Sequence, residues 1–189
     1  VSEGSFWLRQ RRIAQPAFHK RRLDAFVLLL ALGLPSCGPR RVVVVRGSGG
    51  VVQYGGTRYA GPNFGSIALT TGFVPDPQGL TGTSGGQVPA SSIGGGCVGW
   101  VASNPDHLMR LNTAFSFFRI FVHSSEDTTL MVLTPDGRWI CDDDSGQGLN
   151  PLIEAGYWPP GDYWVWVGSY RQGVYAPYQA FFTELPQMM

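Results

Sequence analysis

Charge is scarce in this chain: Asp, Glu, Lys and Arg together make up 14% of its 189 residues. Positive charge is scarcer still where a folded body would lie. Residues 47–189 hold five Arg against eleven Asp/Glu, a net of −6, which excludes a nucleic-acid-binding surface because phosphates need basic partners. The same region carries no sustained amphipathic-helix pattern, which argues against a helical bundle. The apolar run Val27–Leu34 is far shorter than the roughly 20 residues of a membrane-spanning helix. Basic residues gather in residues 1–46, nine Lys/Arg against Glu3 and Asp24, where a targeting segment carries them.

What the chain does have is 26 Gly, 14 Pro and 13% aromatic residues, a composition of turns and short strands. The stretch Asp127 to Gly146 shows the pattern. Thr128–Thr134 is apolar and β-branched, as a strand requires. Pro135-Asp136-Gly137 is a turn: Pro presets φ, Asp bonds nearby backbone and Gly accepts positive φ. Arg138–Cys141 returns, and Asp142, Asp143 and Asp144 then crowd three carboxylates onto a loop. Further strands are expected over Phe64–Phe73, Leu108–Leu111, Phe115–His123, Asp162–Gly168 and Tyr178–Leu185, with Leu152-Ile153 a short apolar segment and Val74–Ser92 a loop. Phe118, Ile120 and Val122 form a core face. In the next-to-last strand Tyr163, Val165 and Val167 share one face, Trp164 and Trp166 the other. Short strands with turn signals at this spacing predict an all-β fold, an antiparallel β-sandwich over residues 64–185.

Ahead of that module, Lys20-Arg21-Arg22, the apolar run and the small residues behind it read as a secretory signal over residues 20–37. Leu34-Pro-Ser-Cys37 resembles the lipobox of bacterial lipoproteins, which implies acylation of Cys37. Residues 38–63 read as a Gly-rich tether. Further upstream, Trp7 and Arg11 within Glu3–Lys20 resemble the W-x-x-x-R segment of bacterial haem-thiolate cytochrome monooxygenases, where that pair holds a haem propionate. The family's Cys-ligand loop and E-x-x-R helix are absent, so no thiolate is present to hold a haem. Residues 1–26 are therefore expected to be a fused fragment or an overlong gene start, disordered or a lone helix, with no independent fold.

Four groups of residues bear on chemistry. Gly82-Thr-Ser-Gly-Gly-Gln87 imitates the G-D-S-G-G-P of trypsin-like peptidases, with Ser84 at the nucleophile's place, but Thr83 replaces the Asp and no His/Asp pair precedes it in the required order. Asp127, Asp142 and Asp144 are candidate ligands for a hard cation, calcium, which takes six to eight oxygens; the other reading is a solvated acidic turn. Trp164, Trp166, Tyr170 and Tyr175 are candidates for stacking on a ligand, or else for packing. With Cys37 assigned to a lipid, Cys97 and Cys141 remain to form a disulfide, which implies an oxidising compartment.

From Gly96 onward the order G-C-V-G-W, N-P-D, D-T-T-L, P-D-G-x-W-x-C-D-D-D, N-P and G-D-Y-x-V-W-V-G is similar to bacterial secreted domains of the pre-peptidase C-terminal type. The resemblance spans roughly residues 64–185 and implies a jelly-roll-like sandwich, appended to exported enzymes or standing alone in the envelope. The function expected is that of a non-enzymatic, exported or lipid-anchored binding or accessory module of the bacterial cell envelope or extracellular space. Its expected partner is a polysaccharide or a protein at the cell surface, with the membrane added if Cys37 is acylated. Calcium is the cofactor expected, and haem is not. The alternative is a serine peptidase-like hydrolase or a remnant of a haem monooxygenase.

Overall fold

The computed structural model describes residues 52–54 and 57–186, with side chains from Tyr59 onward. The monooxygenase-like fragment (residues 1–26), the signal and lipobox (residues 20–37) and Cys37 lie outside the described residues. Two short strands come first, β1 (Val52–Tyr54) and β2 (Thr57–Tyr59), paired as an antiparallel hairpin. They fall inside the stretch read from sequence as a tether. Then follow β3 (Ser66–Leu69), β4 (Gln78–Thr83), β5 (Val88–Pro89), a 3₁₀ turn (Ala90–Ser92), β6 (Trp100–Val101) and β7 (His107–Leu111). The rest are β8 (Phe118–Ser124), β9 (Thr128–Leu133), β10 (Trp139–Asp142), β11 (Leu152–Ala155), β12 (Gly161–Ser169) and β13 (Pro177–Thr183). The region 74–92, expected to be loop, therefore contains two strands.

Eight strands trace one route. In chain order β4, β7, β8, β9, β10, β11, β12 and β13, they divide into two sheets ordered β4-β13-β8-β11 and β7-β12-β9-β10. That arrangement of two Greek keys is the jelly roll. The second sheet is widened by β3, parallel to β7, and by β6 and β5 beyond the far end of β12.

The turn between β9 and β10 forms as its residues dictate. Gly137 takes φ +85°, its N–H donates to the Thr134 carbonyl at 2.9 Å, and the Thr134 N–H donates to the Arg138 carbonyl at 2.9 Å. The register sets Trp139 opposite Leu133 and Cys141 opposite Met131.

The core lies between the sheets. Phe118, Ile120 and Val122 of β8 meet Tyr163, Val165 and Val167 of β12, all buried. The other face of β12 is covered too. Trp164 and Trp166 lie under a second layer made of Tyr59 from the hairpin, Ala90, Cys97 and Val101, with Trp139 at its edge. Cys97 is bonded to Cys141 with a Cα–Cα separation of 5.5 Å, which clips this layer to β10. A buried aromatic side chain removes about 150–250 Å² from water. At about 25 cal/mol/Å² that is an upper bound of about 4–6 kcal/mol, enough to draw both tryptophans inward.

Candidate functional site

Among the described residues no second layer of strands covers the outward face of the four-stranded sheet. Alternation places Arg119, Phe121 and His123 of β8, Gln179 and Phe181 of β13, and Gly79, Thr81 and Thr83 of β4 on that side. Phe121 and Phe181 stand opposite each other in register and stack at 5.0 Å. His123 meets both rings edge-on, 5.3 Å from Phe121 and 5.4 Å from Phe181. At one rim Arg119 donates to Glu154 through Nε at 2.8 Å and also to the Pro186 carbonyl at 3.0 Å.

Along this face runs a groove of about 1000 Å³. It is lined by His123 and Ser124 of β8, Gln179 of β13, Thr81–Thr83 of β4 with Phe64, and the loop 147–150. A smaller depression of about 370 Å³ continues past His123 toward Arg119 and Leu152. The loop wall is held by Asn150, which is buried. Its Oδ1 accepts from Thr128 Oγ1 at 2.6 Å and its Nδ2 donates to the Ser124 carbonyl at 2.9 Å. The Thr128 N–H donates to the Leu149 carbonyl at 3.2 Å, leaving the Leu149 side chain 57% exposed at the groove's lip. On the opposite lip Phe64 is 41% exposed.

Gly82 makes room for Phe64: a Cβ there would collide with Phe64 and with the Tyr178 ring. Beneath Phe64 lies a buried polar cluster. Tyr178 OH and His107 Nε2 are 2.8 Å apart. Asp106 accepts from the Val167 N–H at 2.8 Å and from Asn63 Nδ2 at 3.1 Å. Burial pushes the Asp106 carboxyl up to about 7, with the Val167 and Asn63 hydrogen bonds pulling the other way. Burial pushes the His107 imidazole down to about 4, and it raises the Tyr178 phenol, with a further push from the Asp106 charge.

Among the described residues no Lys or Arg lines the groove; its acidic side chains are Glu126 and Asp127, and its polar rings are His123 and Tyr178. The Asp127 carboxyl is raised by desolvation first and then by the Asp144 charge, with Arg171 opposing and Asp143 reinforcing. This lining can hydrogen-bond hydroxyls and amides and offers an aromatic edge, but it has no means of neutralising a phosphate.

The residues singled out from sequence take other places. Asp127, Asp142 and Asp144 are not gathered into a cation site: among the described residues no three His, Cys, Asp or Glu side chains are placed to hold a metal ion. Asp142 is occupied by its own loop, accepting from Ser145 Oγ at 2.6 Å, from the Ser145 N–H at 3.0 Å and from the Leu152 N–H at 2.9 Å. Trp164 and Trp166 are 1% and 0% exposed, so burial under the second layer removes them from the ligand-stacking set. Tyr170 and Tyr175 are half exposed on the β12–β13 loop, and the Tyr175 hydroxyl accepts from Gln87 Nε2. Ser84 is fully buried, its Oγ 2.8 Å from Ser169 Oγ and accepting from the Ala176 N–H at 3.1 Å. It is a structural hydroxyl, closed to a substrate.

Of the groove residues, His123 was legible as an outward position of a long alternating strand. Phe64 was read as the first residue of a strand over Phe64–Phe73 but lies ahead of β3, which spans Ser66–Leu69; Gln147 and Leu149 belong to an irregular segment with no periodic signal.

No family model matches the chain, and no curated protein matches it. Among solved structures it is similar to the pre-peptidase C-terminal domain of a collagenase from Bacillus anthracis, at 14% identity and a TM-score of 0.40, over 65% of this chain and 97% of that one. It is also similar to PliG of Aeromonas hydrophila, a periplasmic inhibitor of g-type lysozyme, at 13% identity and a TM-score of 0.37, over 62% of this chain and 96% of that one. The jelly roll itself is read from the strand order.

Proposed function

We propose that this protein is an exported accessory module that binds a neutral, hydroxyl-rich polysaccharide along the groove of its four-stranded sheet. The observation that carries the reading is the lining. Amides (Gln147, Gln179), hydroxyls (Thr81, Thr83) and carboxylates (Glu126, Asp127) face one open channel with Phe64 at its lip and, among the described residues, no Lys or Arg. Carboxylates and amides pair with sugar hydroxyls, and an exposed ring covers the apolar face of a sugar. An anionic polymer meets only negative charge there. Export is supported by the Cys97–Cys141 bond, since disulfides persist in oxidising compartments, and by the signal-like segment over residues 20–37. Acylation of Cys37 would place the module on a membrane surface. The burial of Ser84, the nucleophile of the hydrolase alternative, supports a binding module over a hydrolase.

Calorimetric titration of the full chain with soluble chito-, cello- and malto-oligosaccharides tests the reading. At least one series is expected to bind, and the Gln179→Ala/Leu149→Ala double variant to bind it about tenfold more weakly, near 1.4 kcal/mol. Both side chains are exposed, so the fold should survive. Absence of binding by all three series, or equal binding by the variant, overturns it.

A further inference from the structure

Among the described residues β4 is the longest edge strand of the two sheets; β3, the edge beyond β7, has four residues and is guarded by shortness alone. Beyond β11, the loop from Asp142 to Asn150 folds back and the Leu152 N–H is taken by Asp142 Oδ2. β10 lies between the charges of Arg138 and Asp142, and β5 is two residues ending in Pro89. These are the usual guards against edge pairing: cover, charge, proline and shortness. Among the described residues β4 has none of them. Its six residues, Gln-Gly-Leu-Thr-Gly-Thr, contain neither a charge nor a proline, and β13 is the one described strand it pairs with.

The backbone phase of that edge is fixed. Ser84 N–H donates to the Ala176 carbonyl at 2.8 Å, and the register continues with Gly82 opposite Tyr178 and Leu80 opposite Ala180. Alternate residues of an antiparallel strand bond to one side. Gln78, Leu80 and Gly82 therefore bond to β13, and Gly79, Thr81 and Thr83 turn their N–H and C=O groups to the open side. The Leu80 side chain, which packs on the core from this edge, is left partly exposed.

We propose that this edge pairs with the same edge of a second copy of the chain, joining two four-stranded sheets across a two-fold axis. Opposite residues of an antiparallel pair share a face, so a two-fold axis must set one residue opposite itself. Centring on Thr81 places Thr81 opposite Thr81 of the second copy, Gly79 opposite Thr83 and Leu80 opposite Gly82. The residues with open backbone groups then form the narrow pairs, each exchanging two hydrogen bonds. The occupant is a second copy because the strand meets itself without repulsion. In a body of net charge −6, this is a six-residue segment with no charge, in a register that matches small residues with Thr and Leu. Thr81 and Thr83 also line the groove, so pairing sets two grooves side by side on one continuous sheet. The pairing itself is independent of what the groove binds. An edge this short buries less than the roughly 1,200 Å² of a stable interface, so the dimer is weak and depends on concentration.

Sedimentation velocity of the full chain across a wide concentration range tests this. The average mass is expected to rise from 20.6 kDa toward twice that value. Thr81 is exposed, so Thr81→Lys and Thr81→Glu should keep the native melting temperature while each places a charge opposite its own copy and stays monomeric. An equal mixture of the two should form a heterodimer, because the facing charges are then opposite. A mass that stays at 20.6 kDa at every concentration overturns the proposal. So does association that either Thr81 variant leaves unchanged, or failure of the mixture to pair.

Discussion

Asp142 differs from its neighbours Asp143 and Asp144 in having hydrogen-bond donors on both carboxylate oxygens, two of them backbone N–H groups. It ties the end of β10 to the start of β11 across the acidic loop. Replacing it with Ala leaves the Leu152 N–H, which is partly buried, without its acceptor. The expected cost is about 1–3 kcal/mol, read as a lower urea midpoint at unchanged slope. Asp144→Ala, at an exposed position, should cost under about 0.5 kcal/mol. Asp106 and His107 are neighbours in the chain that titrate in opposite senses. A carboxyl raised on folding to about 7 stabilises the folded state at low pH, and that contribution is lost as pH climbs through about 7. An imidazole lowered to about 4 stabilises it above the ordinary value of 6.5, and that contribution is lost as pH falls through about 4. Between those values the two slopes oppose. In Asp106→Asn only the His107 slope remains, so stability measured by urea unfolding from pH 4 to 7 should rise with pH more steeply than in the unaltered chain.

At the scale of elements, β12 and β4 show opposite lessons. Tyr163-Trp-Val-Trp-Val167 is apolar on both faces, and a strand apolar on both faces is covered on both faces. That much was present in the sequence. What covered the Trp face was not, because Tyr59, Ala90 and Val101 come from segments whose composition reads as loop or tether. β4 has two Gly and two Thr in six residues and no period-2 apolar signal. It is a strand because β13 offers it a partner along its whole length. The second layer gives a prediction at this scale. Replacing Cys97 and Cys141 with Ser should lower stability by about 2–4 kcal/mol. If the layer loosens before the sandwich melts, tryptophan emission should shift to the red, since Trp166 and Trp139 are packed under it. A single transition without that early shift would show that layer and sandwich unfold together.

For the molecule as a whole, the ion pairs Arg110–Asp162, Arg119–Glu154 and Arg138–Asp136 take up three of the body's arginines. Negative charge without such a partner collects at the end of the sandwich, around Glu126, Asp127, Asp143 and Asp144, with Arg171 beside it. That is a charged rim, not a cation cage, because Asp142 is turned into its own loop. Calcium at a hundredfold excess over a dissociation constant would stabilise by about 2.7 kcal/mol. Thermal unfolding in millimolar calcium and in chelator should therefore give the same midpoint to within about a degree. An upward shift of several degrees in calcium, abolished by Asp142→Ala, would show a site that these side-chain positions do not form.

By itself the sequence determined the all-β class, the inward face of β8, the division of β12 into two apolar faces, the turn at Pro135–Gly137 and, once Cys37 is assigned to a lipid, the pairing of Cys97 with Cys141. Each follows from short-range chemistry: alternation with period two, the φ preferences of Pro and Gly, and the small number of cysteines. Only the tertiary structure decided which of the two apolar faces of β12 met the other sheet, and that Ser84 and Asp142 serve the fold. It also decided that a groove lies over the four-stranded sheet beside an unguarded edge. Those outcomes depend on contacts between segments far apart in the chain, such as Phe64 on Gly82 and Asn150 on Thr128. No local pattern encodes such a contact until the sheets have packed.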